Sequence, residues 1–398
     1  MLIRNLKMEK KIIKTVALIP LRKGSKGIPG KNKMKILGRR LYQWCLGEAI
    51  FSDLDEVYVF TDDDDIINQV KSEYVWSSKV KVLKRDSENA NDTASTEAAM
   101  LEFCEKIDWK FDNICLLQAT SPLTTRKDIN KALKEINQND SALTVVETKR
   151  FIWNDKGESI NYDFKNRPRR QDFQGLKIEN GAIYVTTKQQ FVASKNRLGG
   201  KIALVEMPED TLTEIDELSD VVIIENLLLN RLNSHKEGFG KIKLLVLDVD
   251  GVFTPGTVGV SMDGEFEKVF SLRDGMGIEN LRLSGVEVIV MTSENSPIVQ
   301  SRMNKLGLDL YMGVKDKFSR LNSVLIEKNI KRSEVAYVGD DVNDLVNLSS
   351  VAWGFCPNDA VVELQSFCDV KLNNKGGDQA IRETCEFILK YNKRIKNN

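Results

Sequence analysis

The stretch KIKLLVLDVDGV, residues 241–252, decides the fold of the second half of the chain. Lys241 to Leu247 reads as a buried strand, and a Gly/Pro/Thr-rich turn follows Val252. Asp248 and Asp250 therefore stand at the C-terminal tip of a strand, the edge of a parallel α/β sheet where ligands are met. Farther on, a second apolar run, EVAYV, ends in Gly339-Asp340-Asp341, with Asp344 close behind. Two strand tips rich in Asp predict a Mg2+ site built from hard oxygen ligands.

This feature begins at residue 248, so more than half of the 398 residues need another explanation. A chain of that length defaults to two domains. With 41% hydrophobic and 29% charged residues it reads as a soluble globular protein. The 58 basic and 58 acidic residues cancel, so no strong field favours nucleic acid or membrane, and small-molecule chemistry is expected. No apolar run approaches the length of a membrane span. The opening MLIRNLKMEKKIIK lacks an apolar core and a cleavage pattern, so it reads as no signal peptide; Met8 is an alternative start. Cys45, Cys104, Cys115, Cys356, Cys368 and Cys385 form no Cys-x-x-Cys pair, which predicts free, mostly buried thiols and a cytoplasmic protein. The single histidine, His235, lies in a polar stretch. That argues against Ser-His-Asp catalysis, multi-histidine zinc sites and imidazole proton shuttles, and leaves carboxylates, Lys, Arg and metal.

Strand-like and helix-like runs alternate twice. TVALIP, EVYVFT, NICLL and SALTVV read as strands separated by the helices LYQWCLGEAIF, STEAAMLEFCEKI and RKDINKALKEI. The helix SDVVIIENLLLNRL closes the first set, and NSHKEGFGK reads as a linker. KLLVLD, VEVIVMT and EVAYV then alternate with further helices. The expected fold class is α/β, two doubly wound, Rossmann-like domains over residues 12–232 and 241–391.

The first strand runs into IPLRKGSKGIPGKNK, residues 19–33. Glycines let backbone N–H groups approach an anion, and Arg22, Lys23, Lys26, Lys31 and Lys33 can offset a triphosphate. The loop lacks the Gly-Lys-Ser/Thr ending of a Walker motif. Four further motifs follow: LLQATSPLT (116–124), NRPRRQD (166–172), ENGAIYV (179–185) and EIDELSD (214–220). Together, over roughly residues 15–228, these resemble the N-acylneuraminate (sialic acid) cytidylyltransferases. The residues suit that chemistry. Arg169 and Arg170 can grip a sugar carboxylate, and Gln118 and Tyr184 can hydrogen-bond a polyol. Asn180-Gly181 allows a tight turn, and Asp216, with Glu214 or Asp220, can hold Mg2+ on the phosphates.

The resemblance implies that Arg22, Ser25, Lys26, Lys31 and Asn32 bind CTP, assisted by Arg85 and Ser95, with Lys31 stabilising the departing pyrophosphate. It also implies that Gln118, Arg170, Asn180 and Tyr184 hold the sugar, whose hydroxyl attacks the α-phosphorus. Octulosonate cytidylyltransferases carry Arg-Leu-Pro where this loop has Gly27-Ile28-Pro29, so a nine-carbon acid is favoured: N-acetylneuraminate or its deaminated relative.

LDVDGVFT (247–254), VIVMTS (288–293), VKDKF (314–318) and VGDDVND (338–344) resemble the haloacid-dehalogenase-like phosphatases. The flap-like stretch 256–278 and the tail GGDQAIRE (376–383) resemble the 3-deoxy-octulosonate-8-phosphate phosphatase subgroup, with Gln379 in place of its later Gly. By that resemblance Asp248 is the nucleophile and Asp250 the general acid and base, their pKa values pushed apart by environment. Asp248, the Asp250 carbonyl and Asp340 would bind Mg2+, Thr292 and Lys317 would hold the phosphoryl oxygens, and Asp344 would orient the metal site. The expected protein is bifunctional, freeing a sugar acid from its 9-phosphate and activating it with CTP, in a dimer or tetramer. Two rivals stand beside it: an octulosonate-pathway enzyme, and a C-terminal domain that serves only as an assembly platform.

Overall fold

The computed structural model describes residues 14–25, 27–91, 93–236 and 240–395. The chain forms two compact units: one takes in the residues up to Met34 and Arg40–Ile224, the other Lys35–Arg39 and the residues from Glu225 on.

The first unit is built on a seven-stranded sheet. Its strands are β1 (Thr15–Leu21), β2 (Glu56–Thr61), β3 (Val80–Lys84), β4 (Asn113–Leu117), β5 (Ser141–Thr148), β6 (Leu176–Thr187) and β7 (Ile202–Glu206), in the spatial order β3-β2-β1-β4-β6-β5-β7. β1, β2, β3 and β4 pair in parallel, whereas β6 runs antiparallel between β4 and β5. β1 is buried along nearly its whole length, as a strand covered on both faces must be. Alternate residues supply two cores: Ala17, Ile19, Val57, Val59, Cys115 and Leu117 pack on one face, and Val16, Leu18, Tyr58, Phe60, Ile114 and Leu116 on the other.

Helices α1 (Leu41–Ile50), α2 (Asp64–Glu73), α3 (Thr96–Lys106), α4 (Arg126–Glu135) and α5 (Lys188–Ser194) belong to this unit. Local chemistry starts them: Ser95 accepts from the Ala98 N–H at the head of α3, and Thr125 and Asp128 form a capping box on α4. The helix α6 (Leu218–Asn233) carries the chain past Ile224.

The second unit has a six-stranded parallel sheet. Its strands are β8 (Leu244–Leu247), β11 (Glu287–Met291), β12 (Asp309–Tyr311), β13 (Val335–Val338), β14 (Trp353–Cys356) and β15 (Val370–Lys371); a hairpin of β9 (Gly259–Ser261) and β10 (Gly264–Glu267) follows β8. The order is β12-β11-β8-β13-β14-β15. Helices α7 (Leu272–Leu283), α8 (Pro297–Leu306), α9 (Lys317–Lys328), α10 (Leu345–Ser350), α11 (Val362–Gln365) and α12 (Ala380–Arg394) complete it. The central strand β8 has β11 and β13 as neighbours, so the tips of these three strands lie side by side. No helix among the described residues is long and apolar enough to cross a membrane.

Candidate active sites

In the first unit the loop after β1 meets the loop before α6. Lys31 Nζ donates to the Ile215 carbonyl at 2.7 Å and to Asp216 Oδ1 at 3.2 Å. A Cβ on Gly27 would stand 2.6 Å from the Asp216 carbonyl oxygen, so only glycine allows this approach. Asn32 Nδ2 donates to the Arg22 carbonyl at 3.0 Å, folding the loop back on itself. Arg22 reaches the Asn91 carbonyl at 3.5 Å, and Ser25 is half-buried in the same loop. Lys26 lies outside the described residues. Arg85 and Ser95 have protein partners: the Arg85 guanidinium donates to the Asn89 carbonyl, and Ser95 caps α3. Burial draws the Arg85 pKa down, against the pull of Glu102.

A cleft of about 580 Å3 is lined by Glu179, Asn180, Gly181, Glu214, Asp216 and Asp220 among others. The tight turn expected at Asn180-Gly181 is not formed: both residues lie within β6, where Gly181 has φ +69° and a Cβ would sit 2.1 Å from Glu214 Oε1, so glycine at this point of the strand makes room for the carboxylate. Glu214 accepts from Ser121 at 3.2 Å, and burial pushes its pKa up. Asp220 accepts from the Asp216 and Glu217 N–H groups at 2.9 and 2.8 Å and shapes the acidic loop.

The expected sugar ligands divide. Gln118 is half-buried just beyond β4, and Arg170 is exposed with no ion pair among the described residues. Asn180 is buried, and its amide is engaged by Thr144 at 2.7 Å and Thr211 at 3.1 Å. Tyr184 is buried too, its hydroxyl donating to Glu179 and its ring beneath Arg197 at 4.9 Å. Asn180 and Tyr184 thus brace the strand β6 in this structure, and Glu179 is a partner that motif matching did not single out.

The second unit gathers its groups closely. Asp248 follows β8, Thr292 follows β11, and Asp340 lies two residues past β13. Lys317 opens α9, whose first turn is capped by the Asp316 side chain accepting from the Ser319 N–H. Lys317 Nζ lies 2.7 Å from Asp248 Oδ2 and 2.8 Å from Asp344 Oδ1, with both Lys317 and Asp344 fully buried. Asp344 Oδ1 also accepts from the Tyr337 hydroxyl at 2.6 Å, while its Oδ2 is buried without a hydrogen-bond partner. Thr292 is buried and accepts from the Glu294 N–H at 3.2 Å. Gly251 has φ +81°, and a Cβ there would meet Asp340 Oδ2 at 1.9 Å, so the turn after Asp250 requires glycine.

Among the described residues, the one trio of metal-ligating side chains whose ligand atoms lie within 4.8 Å of one another is Asp248, Asp340 and Asp344. Three carboxylates face one ammonium. Burial, and then Asp344, push the Asp340 pKa up to about 7, and the same causes raise that of Asp248 against the pull of Lys317. Burial lowers the Lys317 pKa, but Asp248 and Asp344 outweigh it and the net shift is upward. An excess of crowded negative charge, hard oxygen donors and an orphaned carboxylate oxygen fit a small divalent cation. Asp344, expected to orient the metal site, lies within the trio itself.

Asp250 points elsewhere. Its carboxylate accepts from Lys268 Nζ at 2.7 Å through both oxygens and from Thr254 at 3.1 Å. The Lys268 side chain is almost fully buried, and the residue follows the β9–β10 hairpin. Nothing in the sequence marks Lys268 as buried: a lysine beside Glu267 on a polar hairpin looks solvated until the hairpin is placed.

Residues 16–214 match the protein family described as Cytidylyltransferase. N-acylneuraminate cytidylyltransferase B of Danio rerio is 31% identical over 386 residues, covering 94% of this chain and 90% of that protein. The 3-deoxy-D-manno-octulosonate 8-phosphate phosphatase KdsC of Yersinia pestis is 35% identical over 149 residues, 37% of this chain and 80% of that protein. A crystal structure of the Yersinia pestis phosphatase, 31% identical, covers 42% of this chain and 88% of its own, with a TM-score of 0.38. The chain belongs to the N-acylneuraminate cytidylyltransferase family and also carries a region of the haloacid-dehalogenase-like phosphatase type.

Proposed function

We propose that this protein is bifunctional. Residues 12–232 transfer CMP from CTP to a nine-carbon sialic-type acid, and residues 241–391 hydrolyse the 9-phosphate of the same kind of acid. Family membership supports the first activity. The contact of Lys317 with both Asp248 and Asp344, inside an acidic trio at adjacent strand tips, carries the second.

For transfer, Arg22, Ser25, Lys26, Lys31 and Asn32 hold the CTP phosphates, with Arg85 and Ser95 supporting the pocket wall. The anomeric hydroxyl of the sugar attacks the α-phosphorus in line and pyrophosphate leaves. Lys31, on the glycine-rich loop with its ammonium 3.2 Å from Asp216, offsets the charge that develops on the leaving group. Arg170 pairs with the sugar carboxylate, and Gln118, Asn180 and Tyr184 shape the sugar pocket. For hydrolysis, Asp248 attacks phosphorus and becomes an aspartyl-phosphate. Asp250 protonates the departing alcohol and then takes the proton from the attacking water, which requires Lys268 to release one carboxylate oxygen. Lys317 and Thr292 hold the phosphoryl oxygens. Mg2+ fits the acidic trio, is assigned to the transfer site as well, and would supply charge neutralisation when bound. Asp248, Asp340 and the Asp250 carbonyl would hold it beside Asp344 in one, and Asp216 with Glu214 in the other.

The test is product analysis with CTP and a panel of sugar acids, together with phosphate release from the 9-phosphates. Asp248→Asn is expected to abolish phosphate release and to leave CMP transfer within a factor of about two, since the two reactions use separate residues. If the wild type releases phosphate no faster than Asp248→Asn, the hydrolase assignment fails and the second region acts as an assembly platform. One observation favours a second substrate: the phosphatase relative is named for an eight-carbon acid 8-phosphate. Preference for that ester over the 9-phosphate would redirect the substrate assignment.

A further inference from the structure

Two of the six thiols touch. Cys356 ends β14 and is buried; Cys368 lies just past α11 and is half-buried. The Cys356 thiol donates to the Cys368 sulfur across 2.9 Å, and the Cys368 thiol faces the Gln365 carbonyl at 3.5 Å. A disulfide bond is about 2.05 Å long, so closing the 2.9 Å gap takes less than about one ångström of approach.

The backbone keeps the two sulfurs together. β14 is held by β13 on one side and by β15 on the other, with Cys356 opposite Lys371. Beside Cys368, the Asp369 N–H donates to the Gly354 carbonyl at 2.8 Å, and the Asp369 carboxylate accepts from the Gly354 N–H at 2.7 Å. The pair is therefore presented by the strand that ends in Cys356 and by the hydrogen bonds that tie Asp369, next to Cys368, to Gly354. The two thiols also differ. The hydrogen bond from Cys356 lowers the Cys368 pKa and raises that of Cys356 itself, and Cys368 is the one that solvent reaches. The remaining four are buried, and desolvation pushes Cys45 and Cys104 up to about 12 and raises Cys115 and Cys385.

We propose that Cys356 and Cys368 form a reversible dithiol–disulfide pair, with Cys368 as the attacking thiol and Cys356 as the resolving thiol. The oxidant is a small-molecule disulfide, RSSR. Cys368, as thiolate, attacks one sulfur of RSSR; the S–S bond breaks and one RS− leaves and takes up a proton. Cys356 then loses its proton and attacks the Cys368 sulfur, and the second RS− leaves as RSH. Two protein thiols are oxidised to one disulfide while one RSSR is reduced to two RSH. The new bond closes a ring over residues 356–368. Within that ring the Val361 N–H donates to the Asp340 carbonyl at 2.9 Å, and Asp359 accepts from the Gly376 N–H at 3.0 Å.

The experiment treats the full-length protein with oxidised glutathione, quenches in acid, alkylates under denaturing conditions and reads intact and peptide masses. Of six cysteines, four should be alkylated in the oxidised wild type, a 356–368 cross-link should be found, and dithiothreitol should return all six to alkylation. Cys356→Ser should keep a glutathione adduct on Cys368, and Cys368→Ser should show neither adduct nor cross-link. Six alkylated cysteines in the treated wild type would overturn the proposal. So would a lasting adduct on Cys368 without the cross-link, or a cross-link through any other cysteine.

Discussion

The two candidate sites, both proposed to receive phosphate groups, arrange charge in opposite ways. In the first unit, cations on an open glycine-rich loop meet carboxylates on another loop, and Asp216 is largely exposed beside Lys31. In the second, three carboxylates at strand tips and in the turn before α10, with Asp248 and Asp344 buried and Asp340 half-buried, surround one lysine that solvent does not touch. The first site can lose a charge to water at little cost. The second cannot, because each buried charge depends on its neighbours. Substitutions at the two sites should therefore separate stability from activity differently.

The largest effect is expected from Lys317→Met. Removing one partner of a buried ion pair typically costs about 3–5 kcal/mol, because the remaining charge stays buried and uncompensated. Here two carboxylates lose that partner at once. Denaturant unfolding followed by a probe in the second unit should show a loss of that order, and phosphate release should fall to background. CMP transfer assayed under native conditions should persist. A stability loss below about 1 kcal/mol would mean that the acidic trio is protonated or solvated, and the contrast between the sites would collapse.

The unequal legibility of the two units follows from the same contrast. Asp248, Asp340 and Thr292 were readable because each ends a short apolar run, and an apolar run ending in a polar residue marks a strand tip without knowledge of the fold. What those residues touch was not readable: Lys268 reaches Asp250 across eighteen positions, and Cys356 meets Cys368 across twelve, at no characteristic spacing. In the first unit the motifs were legible as strings, but some of their members face inward. Asn180 is spent on Thr144 and Thr211, which only the pairing of β6 between β4 and β5 explains. Strands also escaped where burial is partial. VKVLK forms the edge strand β3, and the first four residues of β6 are exposed, so neither shows the continuous apolar run of β1.

A middle-sized effect should come from Arg170→Ala, which probes the open site. Arg170 has no ion pair among the described residues, so its removal should leave the unfolding midpoint within about 1 °C. A charge-assisted hydrogen bond to a sugar carboxylate is worth about 1.5–3 kcal/mol. KM for the sugar should accordingly rise by about 10- to 100-fold, with KM for CTP unchanged. Equal losses for both substrates would take Arg170 out of the sugar pocket and place it on the nucleotide or in the fold. A drop in stability comparable to that of Lys317→Met would erase the distinction between an open and a buried site.

The smallest effect tests whether Glu56, on the first sheet, is held ionised by its partners while Asp340 in the second site is crowded. Glu56, at the start of β2, pairs with Lys81 and with Lys14 at 2.9 Å, and accepts from the Tyr58 hydroxyl at 2.8 Å. Burial raises its pKa, but Lys81, Lys14 and Tyr58 outweigh burial and bring it down from an ordinary 4.5 to about 2. The sign follows from linkage: a carboxylate depressed in the folded state binds fewer protons there than in the unfolded chain between those two values. Its contribution is complete above pH 4.5 and fades as pH falls toward 2. Glu56→Gln should therefore destabilise the first unit at neutral pH by roughly 1 kcal/mol, a figure kept small because the partner lysines are partly exposed. The gap between variant and wild type should shrink as the buffer is acidified below pH 4.5 and should narrow in high salt. In unfolding curves collected across that range, a gap that is constant with pH would assign the cost to lost packing rather than to charge. A gap that widened on acidification would mean that Glu56 is crowded as Asp340 is, and the contrast between these two carboxylates would be lost.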